Sequence, residues 1–326
     1  MSIARCFCVS LCLLSACAAH ARNGDDPVRT VKVGKLTRSY IVHLPPAYDG
    51  KKPLPVVLVF HGGAGEARSF LQWCGMNDKA DQAGFIAVYP NGTGILKDRL
   101  LTFNAGICCG YAEKNNIDDV AFVRALLDDL GSQYKVDNRR VYATGMSNGG
   151  MISYRLALEL SDRIAAIAPV GGTMGIKNPS RPERAVPVLH FHGTKDEHIA
   201  YNGGPGSKSI TKDDFMSVSD SVGWWVKNNG CSPRPKVDQL PDRADDGMRS
   251  KREVWSGPAP VELITVEGGG HTWPGRAAVP DNATRFRKAR MRRTLGESTK
   301  DISANDIMWS FFQKFALPAL EEAKSE

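Results

Sequence analysis

Val141 to Tyr154 reads VYATGMSNGGMISY: four strand-like residues, a serine held between glycines, and the opening of an apolar, helix-like run. Gly145, Met146, Ser147, Asn148 and Gly149 match G-x-S-x-G. A tight strand-to-helix turn strains the serine and brings other backbones close, so small flanking residues are needed to leave room. The helix that follows starts with backbone N–H groups free to meet developing negative charge. A glycine-rich turn with an exposed serine has the same local pattern. A base and an orienting acid elsewhere in the chain would separate the two readings.

Working outward, short apolar runs alternate with helix-like stretches. Thr37–Leu44, Val56–Phe60, Phe85–Tyr89, Val141–Thr144, Ile167–Val170, Val188–Phe191 and Val261–Val266 read as strands, the first antiparallel and near an edge. Continuous apolar runs mean burial on both faces, as in a parallel sheet covered by helices. NNIDDVAFVRALLDDLGSQY places Ile117, Val120, Val123, Leu126, Leu127 and Leu130 on one face, with Asn116 as cap and Gly131 as stop. MISYRLALEL, VSDSVGWWVKNN and DIMWSFFQKF read as further helices, the last laying Ile307, Phe311 and Phe315 on the sheet. The repetition predicts an open α/β sheet. Polar, glycine-rich insertions at 91–111 and 201–215 and a polar excursion at 239–252 read as surface loops.

Two segments supply the partners of the serine. HGTKDEHI follows the Val188–Phe191 strand and sets Asp196 just past its carboxyl end. GGGHTWPG follows Val261–Val266 and sets His271 in the equivalent place. Ser147, Asp196, His271 is the chain order of an α/β-hydrolase. Glu197 is a second choice for the acid, with a longer side chain and a later position. FHGG, Phe60–Gly63, closes the central strand; in this reading the N–H groups of Gly63 and Asn148 form the oxyanion hole, and His61 fixes the loop by hydrogen bonding. His190 and His192 share a strand face near Asp196 and His198, so a metal cluster is the competing reading there. Trp224, Trp225, Trp273 and Phe103 are candidates for a flat wall against an aromatic or sugar group, with the core as the alternative for Trp224 or Trp225.

The 326 residues, 42% apolar and 24% charged, describe a globular chain. The expected organisation is a targeting segment at 1–21 and one catalytic domain at 28–318. The apolar run from Cys6 to Cys17 after Arg5 is too short to span a bilayer and reads as an export signal. LLSAC would leave Cys17 lipidated and the protein attached to the outer membrane, whereas cleavage after AHA at Ala21 would release it. Four cysteines remain beyond this segment: Cys74, Cys108, Cys109 and Cys231. They allow three pairings, and adjacent Cys108 and Cys109 are expected to bond to distant partners rather than to each other. Net charge is +7, and RFRKARMRR, residues 285–293, concentrates the excess. Without aromatic interleaving or a binding module, this segment does not predict nucleic-acid binding; a solvated insertion is expected.

Together VVLVFHGG, NAGICCG, RVYATGMSNGGM, APVGG, HGTKDEHIAYNGG, WWVKNNGC and GGGHTWPG resemble the extracellular polyhydroxybutyrate depolymerase and feruloyl esterase group of α/β-hydrolases, related to carbohydrate esterase family 1. The resemblance runs from about Ser39 to Phe315. It implies an α/β-hydrolase fold with a mostly parallel sheet, a nucleophile at Ser147, an acid at Asp196, a base at His271, and oxyanion donors at Gly63 and Asn148. It implies serine-esterase chemistry with no metal or other cofactor. The implied substrate is a small-molecule or polysaccharide-linked ester, foremost a feruloyl, hydroxycinnamoyl or short acyl ester on plant polysaccharide. Hydroxybutyrate oligomers are the rival substrate, and a non-catalytic binding protein on the same fold is the rival class. Many relatives pair the cysteine of the NGC segment with one before the last strand, and Arg249–Val261 contains none. The enlarged loop at 276–298, close to His271, is expected to shape the pocket.

Overall fold

In the computed structural model, which describes residues 26–277 and 284–319, the seven apolar runs are strands of one ten-stranded sheet. The strands are β1 (Val28–Val33), β2 (Leu36–His43), β3 (Leu54–Phe60), β4 (Ile86–Pro90), β5 (Val136–Met146), β6 (Ala166–Val170), β7 (Val188–Gly193), β8 (Lys236–Gln239), β9 (Arg249–Trp255) and β10 (Val261–Glu267). They lie in the order β1-β2-β4-β3-β5-β6-β7-β10-β9-β8. The six strands from β4 to β10 run parallel, and two antiparallel strands flank them on each side. VVLVF explains its own central place: Val56, Leu58 and Phe60 join one apolar cluster and Val57 and Val59 the other. No polar residue interrupts either face, so helices must cover both.

They do. Helices α4 (Asp119–Gln133), α5 (Asn148–Glu159) and α6 (Val218–Asn228) bury Leu126, Met151, Tyr154, Val222 and Trp225 on one face. Helices α1 (Ala67–Cys74), α2 (Met76–Ala83) and α8 (Ala304–Phe312) bury Phe70, Met76, Ala80, Met308 and Phe311 on the other. Short α3 (Gly110–Lys114) begins at the end of the 91–111 insertion, and α7 (Arg285–Leu295) buries nothing. Among the described residues no helix is long and apolar enough to cross a membrane.

Several local expectations are corrected. Asp118, not Asn116, caps α4 by accepting the Ala121 N–H at 2.8 Å, while Asn116 turns the chain at φ 47°. Gly131 lies inside α4 rather than ending it. One interior glycine costs about 1 kcal/mol, less than fully burying a side chain such as Leu130 contributes, about 1.5–3 kcal/mol. Residues 249–252 of the expected polar excursion begin β9, where Arg252 meets Glu262 of β10 at 2.8 Å. The 91–111 insertion is not all surface: Leu101, Phe103, Ala105 and Cys108 are buried. The expected loop at 276–298 contains α7. Its residues 278–283, like the whole targeting segment with Cys17, lie outside the described residues.

The cysteines also depart from expectation. Among the described residues Cys108 and Cys109 pair with each other, and Cys74 and Cys231 have no disulfide partner. The loop folds back on itself there, with the Ala105 N–H donating to Cys108 O at 2.7 Å and the Cys109 N–H to Phe103 O at 3.3 Å. Cys74 packs in the apolar cluster on the opposite face from Cys231, so the sheet separates those two thiols. Burial pushes the Cys74 thiol up to about 11, which keeps it protonated and inert near neutrality.

Candidate active site

Strand β5 ends at Met146 and α5 begins at Asn148, leaving Ser147 alone in the turn at φ 58° and ψ −121°. A side chain rarely adopts that conformation, and the surroundings enforce it. The Ser147 N–H donates to Val170 O of β6 at 2.8 Å, and Ser147 O accepts from Met151 N in the first turn of α5. Gly145 and Gly149 make the crossing feasible: a Cβ on Gly145 would stand 2.5 Å from Phe60 O, and one on Gly149 would fall on that same carbonyl. The loop after β3 thereby lies against the turn. Cβ positions on Gly62 and Gly63 would be 3.5 Å from Ser147 Cβ and 3.7 Å from Asn148 Cβ. His61 does what the sequence suggested. Its Nδ1–H donates to Gly62 O at 2.8 Å and its Nε2 accepts the Gly92 N–H at 3.1 Å. Burial drops its pKa to about 4, so the ring is neutral and holds that donor pattern.

Asp196 and His271 meet on loops after β7 and β10, neighbouring parallel strands. His271 Nδ1 lies 2.6 Å from Asp196 Oδ2 and donates to it. Asp196 Oδ1 accepts the N–H groups of His198 at 2.8 Å and Ile199 at 2.9 Å. Burial would raise the pKa of this carboxyl, but the charge and hydrogen bond of His271 outweigh it, and the group is held below the usual carboxylate range. Glu197, the second choice, is exposed and turned to Lys208 and Ser207. Gly171 and Gly172 connect the acid–base pair to the serine. A Cβ on Gly171 would stand 3.3 Å from His271 Nδ1 and 3.4 Å from Asp196 Oδ2, and one on Gly172 would collide with Ser147 O.

Behind Asp196 runs a buried polar chain that the sequence did not suggest. His192 Nε2 is 2.8 Å from Ile199 O and 3.5 Å from Asp196 Oδ2, so it carries the proton and donates. His192 Nδ1 is then an acceptor and takes His190 Nε2–H at 3.0 Å. His190 Nδ1 accepts the Tyr154 hydroxyl at 2.9 Å. Burial lowers the pKa of both rings, which keeps them neutral, and a neutral ring has one donor and one acceptor. Every ring nitrogen of the pair is used in this chain. The signal was the spacing of His190 and His192 on one strand face, read there as a metal alternative.

Three of the four rings expected to form a substrate wall lie in the core, and Trp224 is half-buried against Trp225. Phe103, Trp225 and Trp273 are each 0% exposed. Phe103 packs edge-on against Phe60, Trp225 lies against Tyr154 and Trp224, and Trp273 packs on Phe70 and donates Nε1–H to Asn305 at 2.8 Å. Large flat rings fill volume between sheet and helices, and that gain keeps them from the surface. Phe103 serves the site through its backbone instead. The Asn148 side chain accepts the Phe103 N–H at 2.8 Å and donates to Phe103 O at 2.9 Å, which fixes the insertion against the start of α5.

Known proteins resemble this chain in sequence and in fold. A family model described as Esterase PHB depolymerase matches residues 38–181. A putative esterase, NocK, of Nocardia uniformis subsp. tsuyamanensis is 32% identical over 259 residues, covering 76% of this chain and 74% of that protein. Feruloyl esterase B of Piromyces equi is 32% identical over 245 residues, which cover 72% of this chain but 42% of that protein. The solved acetyl xylan esterase from Aspergillus awamori shares the fold at a TM-score of 0.56 and 14% identity, over 83% of this chain and 99% of that one.

Proposed function

The chain belongs to the α/β-hydrolase esterases related to polyhydroxybutyrate depolymerases and feruloyl esterases, carboxylic ester hydrolases, and from that premise we propose that Ser147, His271 and Asp196 carry the reaction. The observation that carries this reading is the strained Ser147 at the β5–α5 turn, with the Gly63 loop beside Asn148 and the 2.6 Å His271–Asp196 pair on adjoining loops. His271 Nε2 takes the hydroxyl proton as Ser147 Oγ bonds to the ester carbonyl carbon. The N–H groups of Gly63 and Asn148 receive the oxyanion. The C–O bond to the alcohol breaks as His271 returns the proton to the leaving oxygen. Water, deprotonated by His271, then cleaves the acyl-serine and releases the acid.

For the acyl group, short hydroxyalkanoate esters, such as hydroxybutyrate oligomers, are the better supported choice. The family match spans the Gly63 loop and the Ser147 turn, and the burial of Phe103, Trp225 and Trp273 removes the support for a flat hydroxycinnamoyl wall. The likeness to feruloyl esterase B favours, as the second reading, feruloyl or short acyl esters on polysaccharide. Residues 28–318 act in this account as one catalytic domain, and the apolar run Cys6–Cys17 supports export, as a secreted protein or one attached through Cys17.

The test is acid release from hydroxybutyrate trimer, methyl ferulate, acetylated xylan and p-nitrophenyl acetate by wild type and Ser147→Ala. Turnover that disappears in the variant, with the trimer preferred, is expected. Preference for methyl ferulate would select the second reading, and turnover surviving in Ser147→Ala would overturn the mechanism.

A further inference from the structure

Helix α7 supplies none of the proposed catalytic groups, yet its last turn is fastened to them. Helix C-terminal carbonyls have no partner within the helix, and here the site provides them. Arg293 O accepts from Lys208 Nζ at 2.6 Å, Thr294 O from His198 Nε2 at 3.0 Å, and Leu295 O from the His271 N–H at 2.6 Å. His198 stacks on His271 at 4.8 Å between ring centroids, and the Gly270 N–H donates to Glu297 O just past the helix. The helix therefore ends at the base of the proposed triad, and its 11 residues extend about 16 Å away from it.

Its composition works against its own folding. Arg285, Arg287, Lys288, Arg290, Arg292 and Arg293 are basic, and residues 284–296 contain no acid. Arg287 with Arg290, and Lys288 with Arg292, set like charges at helical contact spacing, which destabilises a helix. Arg285, Arg287 and Lys288 also stand at the positive end of the helix dipole. No residue of α7 is buried, so packing does not offset these terms. A segment that breaks local rules without a gain in packing points to function. At 100° per residue the six cations surround the axis instead of forming one stripe. Arg292 pairs with Glu297 at 3.3 Å, and the helix remains a source of positive potential around much of its axis rather than along one groove-reading face. Phe286 is its one large exposed apolar residue, so it lacks the apolar face of a membrane-surface helix.

We propose that α7 recruits anionic esters to the site, in the form of free-acid hydroxyalkanoate oligomers whose terminal carboxylate lies on the leaving-group side. This rests on the hydroxyalkanoate-esterase reading above and narrows its substrate. In each cut the leaving hydroxy acid already carries the oligomer's terminal carboxylate, and guanidinium groups match carboxylates in charge and geometry. A multi-arginine field beside the site raises the local concentration of that anion and weakens with salt.

The experiment compares a 3-hydroxybutyrate trimer with a free carboxylate and the same trimer capped as its terminal amide. In wild type at low salt the ratio of kcat/KM, free over capped, is expected to be well above one and to fall about tenfold in about 0.5 M salt. The triple variant Arg285→Gln, Arg287→Gln, Arg290→Gln, checked for an unchanged Tm, is expected to lower that ratio about tenfold, chiefly through KM. A ratio that the variant leaves intact overturns the proposal. So does an intact ratio accompanied by lost binding to phosphatidylglycerol vesicles or to DNA, which would assign α7 to a membrane or a nucleic acid. Capped-trimer turnover with no preference for the free acid sinks this inference alone, whereas capped-trimer turnover persisting in Ser147→Ala sinks the esterase mechanism beneath it.

Discussion

At the residue scale the arrangement around Asp196 makes a sharp demand on the identity of one atom. Asp196 Oδ1 already accepts two backbone N–H groups, so an asparagine there would keep its oxygen on that side. Its amide nitrogen would then face His271 Nδ1, forcing that nitrogen to accept and moving the ring proton to Nε2. A base with its proton on Nε2 cannot take one from Ser147. Asp196→Asn is therefore predicted to lower kcat by about four orders of magnitude with little change in KM; a loss within tenfold, in steady-state assays on p-nitrophenyl acetate, would contradict the assignment. The places of Ser147, Asp196 and His271 at strand ends were legible because each follows a strand-like run and small neighbours mark its turn. The aromatic wall was not, because a tryptophan in sequence looks the same whether it faces a substrate or fills the gap between helix and sheet.

At the scale of elements, the β5–α5 turn depends on backbones approaching where no side chain fits. Gly149→Ala would put a methyl group on Phe60 O, so either β3 or α5 must shift. A loss of about 2 kcal/mol or more in urea unfolding is predicted, together with loss of activity in whatever folds; a variant of wild-type stability would contradict the crossing described. The buried chain behind Asp196 belongs to α5 and β7 together. Tyr154→Phe would strip the donor from His190 Nδ1 and leave a buried acceptor unpaired, at a predicted cost of about 1–3 kcal/mol in urea unfolding. An unchanged midpoint would mean another donor serves that nitrogen. The central parallel strands were legible because burial on both faces demands uninterrupted apolar runs. Strands β1, β8 and β9 were not, because half-exposed antiparallel strands near the edges mix Arg, Lys and Glu with apolar residues and read as polar loop. Gly131 misled for a related reason, since the helix it was expected to end is held by packing rather than by propensity.

On the scale of the whole molecule, three buried histidines couple stability to pH. Burial holds His61 at about 4 and lowers His190 and His192, so the folded state refuses protons that the unfolded chain accepts below its ordinary value of 6.5. Their neutral forms are favoured in the fold, so the stability they allow is complete above about pH 6.5 and declines as pH falls towards 4. For His61 alone the decline between pH 7 and pH 4.5 is predicted to be about 2–3 kcal/mol. Urea midpoints across that range would check it, and a flat or rising stability would contradict it. The α/β architecture and the sheet's parallel centre followed from the alternation of apolar runs and helix-like stretches. Where the polar insertions return to the body of the molecule did not, because contacts such as Asn148 with Phe103 or Leu295 with His271 join residues far apart in sequence without an apolar pattern.

The most direct measurement is the intact mass of the protein after quenching a reaction with a p-nitrophenyl ester in acid, followed by peptide mapping. The account predicts one acyl group per chain, located on Ser147, and none on Ser147→Ala. An acyl group mapped to another residue, or steady turnover with no acyl-enzyme and undiminished rate in Ser147→Ala, would contradict it.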